Sequence, residues 1–235
     1  MPGLFITFEG TEGGGKSTQV ALLAERLRVM GHQVRVLREP GGTPIGEEIR
    51  HLLKHHPANV AMMPEAELLL MNASRAQLVL EVIRPALAAG EIVLCDRFYD
   101  STTAYQGYGR QLDLARVQSV IDIAVGCTRP HLTLLLKVSV AVSEARRLER
   151  QMRLLETPTS GEAVGAVPLK FDARLRDRFE EADRAFFRRV ENGFQLIAEA
   201  EPDRVKIVDA TQAIEAVHEG IWRLVTPHLS PLAAG

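Results

Sequence analysis

The sequence predicts an α/β fold in which about five parallel strands form a sheet covered by helices on both faces. Five short runs rich in apolar and β-branched residues predict the strands, at 4–10, 33–39, 91–96, 131–138 and 204–209. Amphipathic stretches predict helices, at 16–30, 45–55, 65–89, 114–125, 142–154, 173–200 and 214–228. Of the 235 residues, 46% are hydrophobic and no linker-like change in composition occurs, so residues 1–235 are expected to form one domain.

The first strand leads into a glycine-rich loop, FEGTEGGGKST at residues 8–18, which fits the pattern G-x-x-x-x-G-K-[ST]. In such a loop the backbone N–H groups surround phosphate, the lysine reaches the outer phosphates and the hydroxyl ligates Mg²⁺. A chance glycine turn is the alternative, which the order of strand, loop and helix disfavours. The loop therefore predicts a P-loop NTPase-type fold and an ATP site at Gly10, Gly13, Gly14, Gly15, Lys16, Ser17 and Thr18.

The third predicted strand ends at Asp96, which is followed by Arg97. An aspartate at this point of a P-loop protein holds Mg²⁺ through its water shell, so Ser17 and Asp96 are the predicted metal residues. An arginine cannot accept a proton from water, but it can ligate a second phosphate and offset the repulsion between two anions. Transfer between phosphates is therefore favoured over hydrolysis, with Lys16 and Arg97 on the transferred group; a salt bridge at the strand end is the alternative for Arg97.

Composition excludes several other classes of protein. A net charge of -2 and a pI near 6.4 argue against a general nucleic-acid partner. No apolar run approaches the roughly 20 residues of a membrane span, and the first strand leaves no room for a signal peptide. Cys95 and Cys127 are expected to be small buried residues of a reducing compartment, so a cytoplasmic protein is predicted. A GTPase-like switch is disfavoured because N-K-x-D and D-x-x-G motifs are absent, and the histidines near residue 51 are expected on a helix surface.

Three segments in order, FEGTEGGGKST, REPGGTPIGEEIR and DRFYDSTTAYQGYGR, resemble the thymidylate kinase family, and the resemblance runs from about residue 4 to residue 222. It implies transfer of the γ-phosphate of ATP to dTMP, giving dTDP and ADP, with Mg²⁺ as cofactor. It also implies a homodimer, for which the helix from residue 65 is the expected interface. A kinase of another nucleoside monophosphate or of a small metabolite is the alternative.

The resemblance implies a dTMP site at Glu12, Glu39, Arg50, Met71, Arg75, Arg97, Thr102, Tyr105 and Gln106. Met71 stands where the family usually has a phenylalanine that stacks on thymine, and Arg75 would bond a base carbonyl. Thr102 and Gln106 would read the polar edge of the base, and Tyr105 would sit under the sugar and exclude a ribose. These three fall at i, i+3 and i+4 of an expected short helix.

For the other acceptor residues the resemblance implies contacts with the sugar and the phosphate. Glu12 would accept a bond from the sugar 3′-hydroxyl, Arg50 would contact the acceptor phosphate, and Glu39 would line the site beside it. From the residues alone, a core methionine, a surface arginine at position 75 and a solvent-facing Glu12 are the alternatives.

The last implied part is a lid at residues 146–178. Gly13 stands where some family members carry an arginine in the phosphate loop, so the remaining cations are expected from the lid. Arg150 would contact the transferred phosphate and Arg146 the adenine; a solvated helix face is the alternative. Residues 156–168 are predicted to be a mobile loop and an unusual insertion.

Overall fold

A computed structural model describes residues 3–139, 142–143, 146 and 184–229. Five strands form one parallel sheet in the order β2-β3-β1-β4-β5. Each lies within one residue of its predicted bounds, and the bounds are β1 Leu4–Glu9, β2 Val34–Arg38, β3 Ile92–Asp96, β4 Leu132–Lys137 and β5 Val205–Asp209. Central β1 pairs Phe8 with Asp96 of β3, so the phosphate loop and the Asp96–Arg97 pair leave the sheet side by side.

Eight helices lie in the described part of the chain. They are α1 Lys16–Val29, α2 Pro44–Lys54, α3 Pro64–Leu78, α4 Arg84–Ala88, α5 Tyr99–Thr102, α6 Leu114–Val125, α7 Arg184–Ala200 and α8 Ile214–Val225. Short 3₁₀ turns cover Pro57–Ala61 and Thr226–His228. Most of the predicted helix at 142–154, the predicted start of the helix at 173–200, most of the lid at 146–178 and the insertion at 156–168 lie outside the described residues.

The single helix predicted at 65–89 is wrong in its middle, where a π-helical turn at Val79–Ile83 joins α3 to α4. Pro85 explains the break, because it has no N–H to donate and its ring would clash with the carbonyl of Glu81 in a regular helix. A second π turn, Thr103–Gly109, continues α5.

Helices cover both faces of the sheet, as predicted. On one face, Leu23 and Leu27 of α1 and Ile221 of α8 pack against β1 and β4 in a fully buried cluster. On the other face, residues of α3 and α6 pack with Phe5 and Phe98. No helix of the described ranges is long and apolar enough to cross a membrane.

Candidate active site

A cavity of about 460 Å³ opens at the carboxyl edge of the sheet, between the phosphate loop and the segments that follow β2 and β3. Parallel α/β sheets bind ligands at this edge. Every predicted site residue within the described ranges lines the cavity except Gly10 and Gly14, and Arg150 lies outside those ranges. The sequence thus places its candidate residues around one space.

The phosphate loop is built on positive backbone dihedral angles that glycine tolerates. Gly10 and Gly13 have φ of 128° and 75°, and Gly15 caps α1 with φ of 83° and no side-chain hydrogen bond. The first N–H groups of α1 are therefore not capped by a side chain, which suits an anion. Lys16 is buried, and its Nζ donates to the carbonyl oxygens of Gly10 at 3.1 Å and Thr11 at 2.8 Å. Burial, together with the nearby charge of Arg97, lowers the pKa of Lys16 to about 7.

Ser17 and Asp96 provide oxygen ligands of the kind that Mg²⁺ prefers. The Ser17 hydroxyl donates to Oδ2 of Asp96 at 2.6 Å, so the two groups are adjacent at the mouth of the phosphate loop. Within the described ranges no three His, Cys, Asp or Glu side chains group as a metal site. His51, His55 and His56 are exposed near the end of α2, in agreement with the expected helix surface.

Arg97 has a φ of 74°, which is uncommon for a residue with a side chain and indicates a constrained backbone. Its guanidinium donates to the carbonyl of Gly10 and to the Ser101 hydroxyl at 3.0 Å each, and to the Tyr105 hydroxyl at 3.4 Å. It forms no ion pair with any described residue, so the alternative of a simple salt bridge at the strand end is wrong. The side chain points across the phosphate loop instead.

Glu9, which sequence reasoning missed, anchors this loop. It is fully buried at the end of β1 and accepts bonds from the Phe98 N–H at 2.7 Å and the Ser101 hydroxyl at 2.5 Å. Burial and the neighbouring Asp100 raise the pKa of Glu9 to about 8. The signal was present in the sequence, because an acid directly precedes the loop in an otherwise apolar strand.

Arg75 forms the deep wall of the cavity with Glu39. Its Nε and one terminal nitrogen donate to Oε2 of Glu39 at 2.9 and 2.7 Å, and further bonds reach Asn72 at 2.8 Å and the Phe98 carbonyl at 3.2 Å. The alternative of a surface arginine is wrong, since the Arg75 side chain is 2% exposed. These bonds use four of its five N–H groups and leave one for a ligand.

Oε1 of Glu39 is a buried acceptor without a hydrogen-bond partner in the described part of the chain. Burial raises the pKa of Glu39, and Arg75 opposes that rise. An unpartnered buried acceptor beside a cavity indicates that a ligand or water completes it.

Thr102, Tyr105 and Gln106 form the opposite wall and are all buried. The expected spacing on a short α-helix is wrong, because the π turn at Thr103–Gly109 changes the rotation per residue, yet all three still line the cavity. The Tyr105 ring packs edge-on against Phe186 and Phe194 of α7. Burial raises the pKa of its hydroxyl, so this group remains a neutral phenol near neutral pH.

The outer rim carries cations. Arg50 donates to the Pro40 carbonyl at 2.9 Å, and Lys54, one helical turn further along α2, also lines the cavity. Lys54 was missed, although its spacing of four from Arg50 places both on one helix face. Arg38 instead pairs with Glu47 at 2.9 Å and braces the loop after β2.

On the side of β5, Arg146 donates to the Ala210 carbonyl at 2.9 Å and lines the cavity. The Ser143 hydroxyl donates to the carbonyl oxygen of Glu12 in the phosphate loop. The Arg146 contact holds the first residue of the predicted lid against this end of the cavity, and the Ser143 contact holds the segment just before it.

Cys95 is buried in β3, as expected, whereas the prediction of a buried Cys127 is wrong. Cys127 follows Gly126, which ends α6 with φ of 54°, and the turn there exposes the thiol.

The parallel sheet, the phosphate loop and the cation-lined second wall define the class of protein as a P-loop NTPase-type kinase. Comparison with known proteins agrees. The family model "Thymidylate kinase" matches residues 8–221. A thymidylate kinase of Syntrophotalea carbinolica is 46% identical over 98% of both chains, and one of Pseudomonas fluorescens is 45% identical over the full length of both. The crystal structure of thymidylate kinase from Ehrlichia chaffeensis superposes with a TM-score of 0.70, at 30% identity, over 96% of this chain and 99% of that one.

The chain therefore belongs to the thymidylate kinase family. The predicted family, fold class and enzyme class are confirmed.

Proposed function

We propose that this protein transfers the γ-phosphoryl group of ATP to the 5′-phosphate of dTMP, giving dTDP and ADP. Family membership over almost the whole chain supports this activity. The single observation that carries it is structural: one cavity joins the phosphate loop to a second, buried wall bearing Arg75, Glu39 and Gln106. A hydrolase needs a group that orients or deprotonates water beside the γ-phosphate, whereas Arg97 lines this site and an arginine cannot accept a proton.

In the proposed mechanism the protein acts by positioning and by neutralising charge. ATP phosphates lie on the N–H groups of the loop from Gly10 to Thr18, and Lys16 contacts the outer phosphates. Arg97 reaches across the same loop and donates hydrogen bonds to the γ-phosphoryl group as it is transferred. Arg50 contacts the phosphate of the acceptor nucleotide. The attacking oxygen belongs to a phosphate that is already ionised, so no protein side chain need remove a proton.

Ser17 and Asp96 are the residues that would hold Mg²⁺. When bound, the ion would supply positive charge that neutralises the charge developing on the phosphate oxygens. The adjacent hydroxyl and carboxylate fit such an ion, because both are hard oxygen donors at the mouth of the loop. Arg146, which lies beside Ala210, is proposed to contact the adenine.

The acceptor base is proposed to lie between Met71 and the wall of Thr102, Tyr105 and Gln106. The remaining N–H of Arg75 then faces a base carbonyl, and Glu12 faces the sugar. Tyr105 is held by two phenylalanines of α7, so it cannot swing away to admit a ribose 2′-hydroxyl.

We also propose a cytoplasmic homodimer. The free thiols of Cys95 and Cys127 suit a reducing compartment. Leu69 and Leu80, on α3 and the π turn after it, are 58% and 60% exposed, which supports this helix as the interface. Sedimentation equilibrium of the wild type and of Leu69→Glu tests the dimer.

A coupled assay of ADP release tests the activity. Release should depend on dTMP, should be slower with dUMP, and should nearly vanish with the ribose analogue of dTMP. Release that is equally fast without any acceptor would overturn the proposal. A rate with another nucleoside monophosphate above that with dTMP would instead indicate a neighbouring kinase.

A further inference from the structure

Glu67 is a fully buried carboxylate on the first turn of α3, and it faces the acceptor wall. Its Oε1 accepts a hydrogen bond from Nε2 of Gln106 at 2.7 Å. Arg110 donates to the same carboxylate, from Nε to Oε1 at 3.3 Å and from a terminal nitrogen to Oε2 at 3.1 Å. The three side chains thus form a network directly behind the cavity.

This network leaves the Gln106 amide one orientation. A carboxylate paired with arginine only accepts hydrogen bonds, so Gln106 must direct its NH₂ group to Glu67. Its carbonyl oxygen, Oε1, is then directed away from Glu67. Gln106 lines the cavity, and no described residue donates to this oxygen.

Because Oε1 of Gln106 is a hydrogen-bond acceptor with a fixed direction in the cavity wall, it favours a ligand that carries a hydrogen-bond donor opposite it. Thymine and uracil carry an N–H at N3 and a carbonyl at C4, whereas cytosine carries a lone pair at N3 and an amino group at C4. A cytosine placed there would set its N3 lone pair against the Gln106 oxygen, and two acceptors that face each other without a proton between them disfavour binding.

We propose that Glu67 is a positioning residue that fixes the amide of Gln106 and thereby makes the acceptor pocket select a pyrimidine with an N3–H donor. The inference rests on the proposed function, since it concerns the same acceptor site. Arg110, which is not among the residues that line the cavity, holds the Glu67 carboxylate, and its guanidinium also lies 4.8 Å from the centre of the Phe186 ring.

The test is Glu67→Gln, assayed with dUMP and dCMP. These nucleotides both lack the 5-methyl group and differ only along the edge that Gln106 would read. A glutamine at position 67 can accept or donate, so Gln106 becomes free to rotate and present its NH₂ group to cytosine N3. The ratio of kcat/KM for dUMP over dCMP should fall at least about tenfold, equivalent to about 1.4 kcal/mol.

A matched control lies just beyond the same helix. Glu81 accepts a hydrogen bond from Gln77 at 2.7 Å, but this Gln–Glu pair is exposed and remote from the cavity. Glu81→Gln should leave the dUMP to dCMP ratio unchanged. In Gln106→Leu the ratio should already be low, and adding Glu67→Gln should lower it no further.

A ratio in Glu67→Gln equal to that of the wild type, or an equal loss with both nucleotides, would overturn the inference and leave Glu67 a structural residue. If loss of the ion pair between Arg110 and Glu67 unfolds this variant, the double variant Glu67→Gln with Arg110→Met removes the guanidinium as well, and the same ratio decides. Calorimetric binding of dUMP and dCMP separates this result from turnover. A wild type that prefers dUMP in binding but releases no ADP refutes the proposed kinase activity and not the pocket.

Discussion

The lowered pKa of Lys16 predicts that ATP binding weakens as the pH rises above neutrality. In the free enzyme the pKa is about 7, because the ammonium is buried beside Arg97. Bound phosphates favour the charged form and raise this pKa, so the complex holds more protons than the free enzyme does. By linkage, the affinity is highest where Lys16 is already protonated and falls as the pH rises through its free-state value.

The size of the loss in ATP affinity follows from the fraction of free enzyme in which Lys16 is protonated and can bind phosphate. With a pKa of about 7, about a quarter of Lys16 is protonated at pH 7.5 and about 1% at pH 9. Because apparent affinity scales with the competent fraction, it should fall about twentyfold over this range. At pH 8, Lys16 alone should account for the uptake of about 0.9 proton per nucleotide.

Isothermal titration of a non-hydrolysable ATP analogue, with saturating Mg²⁺ and in two buffers of different ionisation enthalpy, measures both quantities. Lys16→Arg is the matched variant, because arginine stays protonated across the whole range. Glu9, with a pKa of about 8, titrates in the same window and its ionisation also opposes phosphate. Lys16→Arg should therefore retain only the smaller slope due to Glu9. Equal slopes in both proteins, or no proton uptake by the wild type, would refute the reasoning.

Three further predictions concern the turnover number, the stacking of residue 71 on the acceptor base, and the phosphate loop. Arg97→Ala should lower kcat by about 10²-fold or more with little change in ATP affinity, and a kcat near that of the wild type would remove Arg97 from the mechanism. Met71→Phe should lower the KM for dTMP about two- to tenfold through ring stacking, and an unchanged KM would show that the base lies elsewhere. Gly13→Ala should lower the Tm and weaken ATP binding, because its Cβ would lie 2.8 Å from the Ser143 carbonyl oxygen. Gly220→Ala, which has open space, is the control and should not lower the Tm.

Local pattern was enough to predict the strands and the phosphate loop. A buried parallel strand is a short apolar run, and the loop's glycines, Lys16 and Ser17 occupy fixed positions in a recurring motif. The order of motifs then placed Asp96 and Arg97 at the same edge of the sheet. The break at Val79–Ile83 was also readable, since Pro85 cannot continue a regular helix.

Partners across the chain could not be predicted in the same way. Arg75 binds Glu39, which lies 36 residues earlier, and Gln106 binds Glu67, which lies 39 residues earlier. Nothing in the local sequence says which donor side chain meets which carboxylate once the elements pack. The conformation of Arg97 is similar: a φ of 74° is not one that arginine prefers, and the contacts of its guanidinium are with Gly10 and Ser101, which lie 87 residues earlier and four residues later.

Gly13 links the phosphate loop to the choice of catalytic cations. The backbone carbonyl of Ser143 covers this position so closely that even a Cβ would clash, and the positive φ disfavours any side chain. A cation projecting from the loop is thus incompatible with the contact between Ser143 and Glu12. Lys16 and Arg97 are the cations that we propose to contact the transferred group, and further positive charge on that group is expected from the chain that follows Ser143. The contact of Ser143 with the phosphate loop therefore has two effects. It excludes an arginine side chain at position 13, and it positions the start of the segment that is expected to supply the further positive charge.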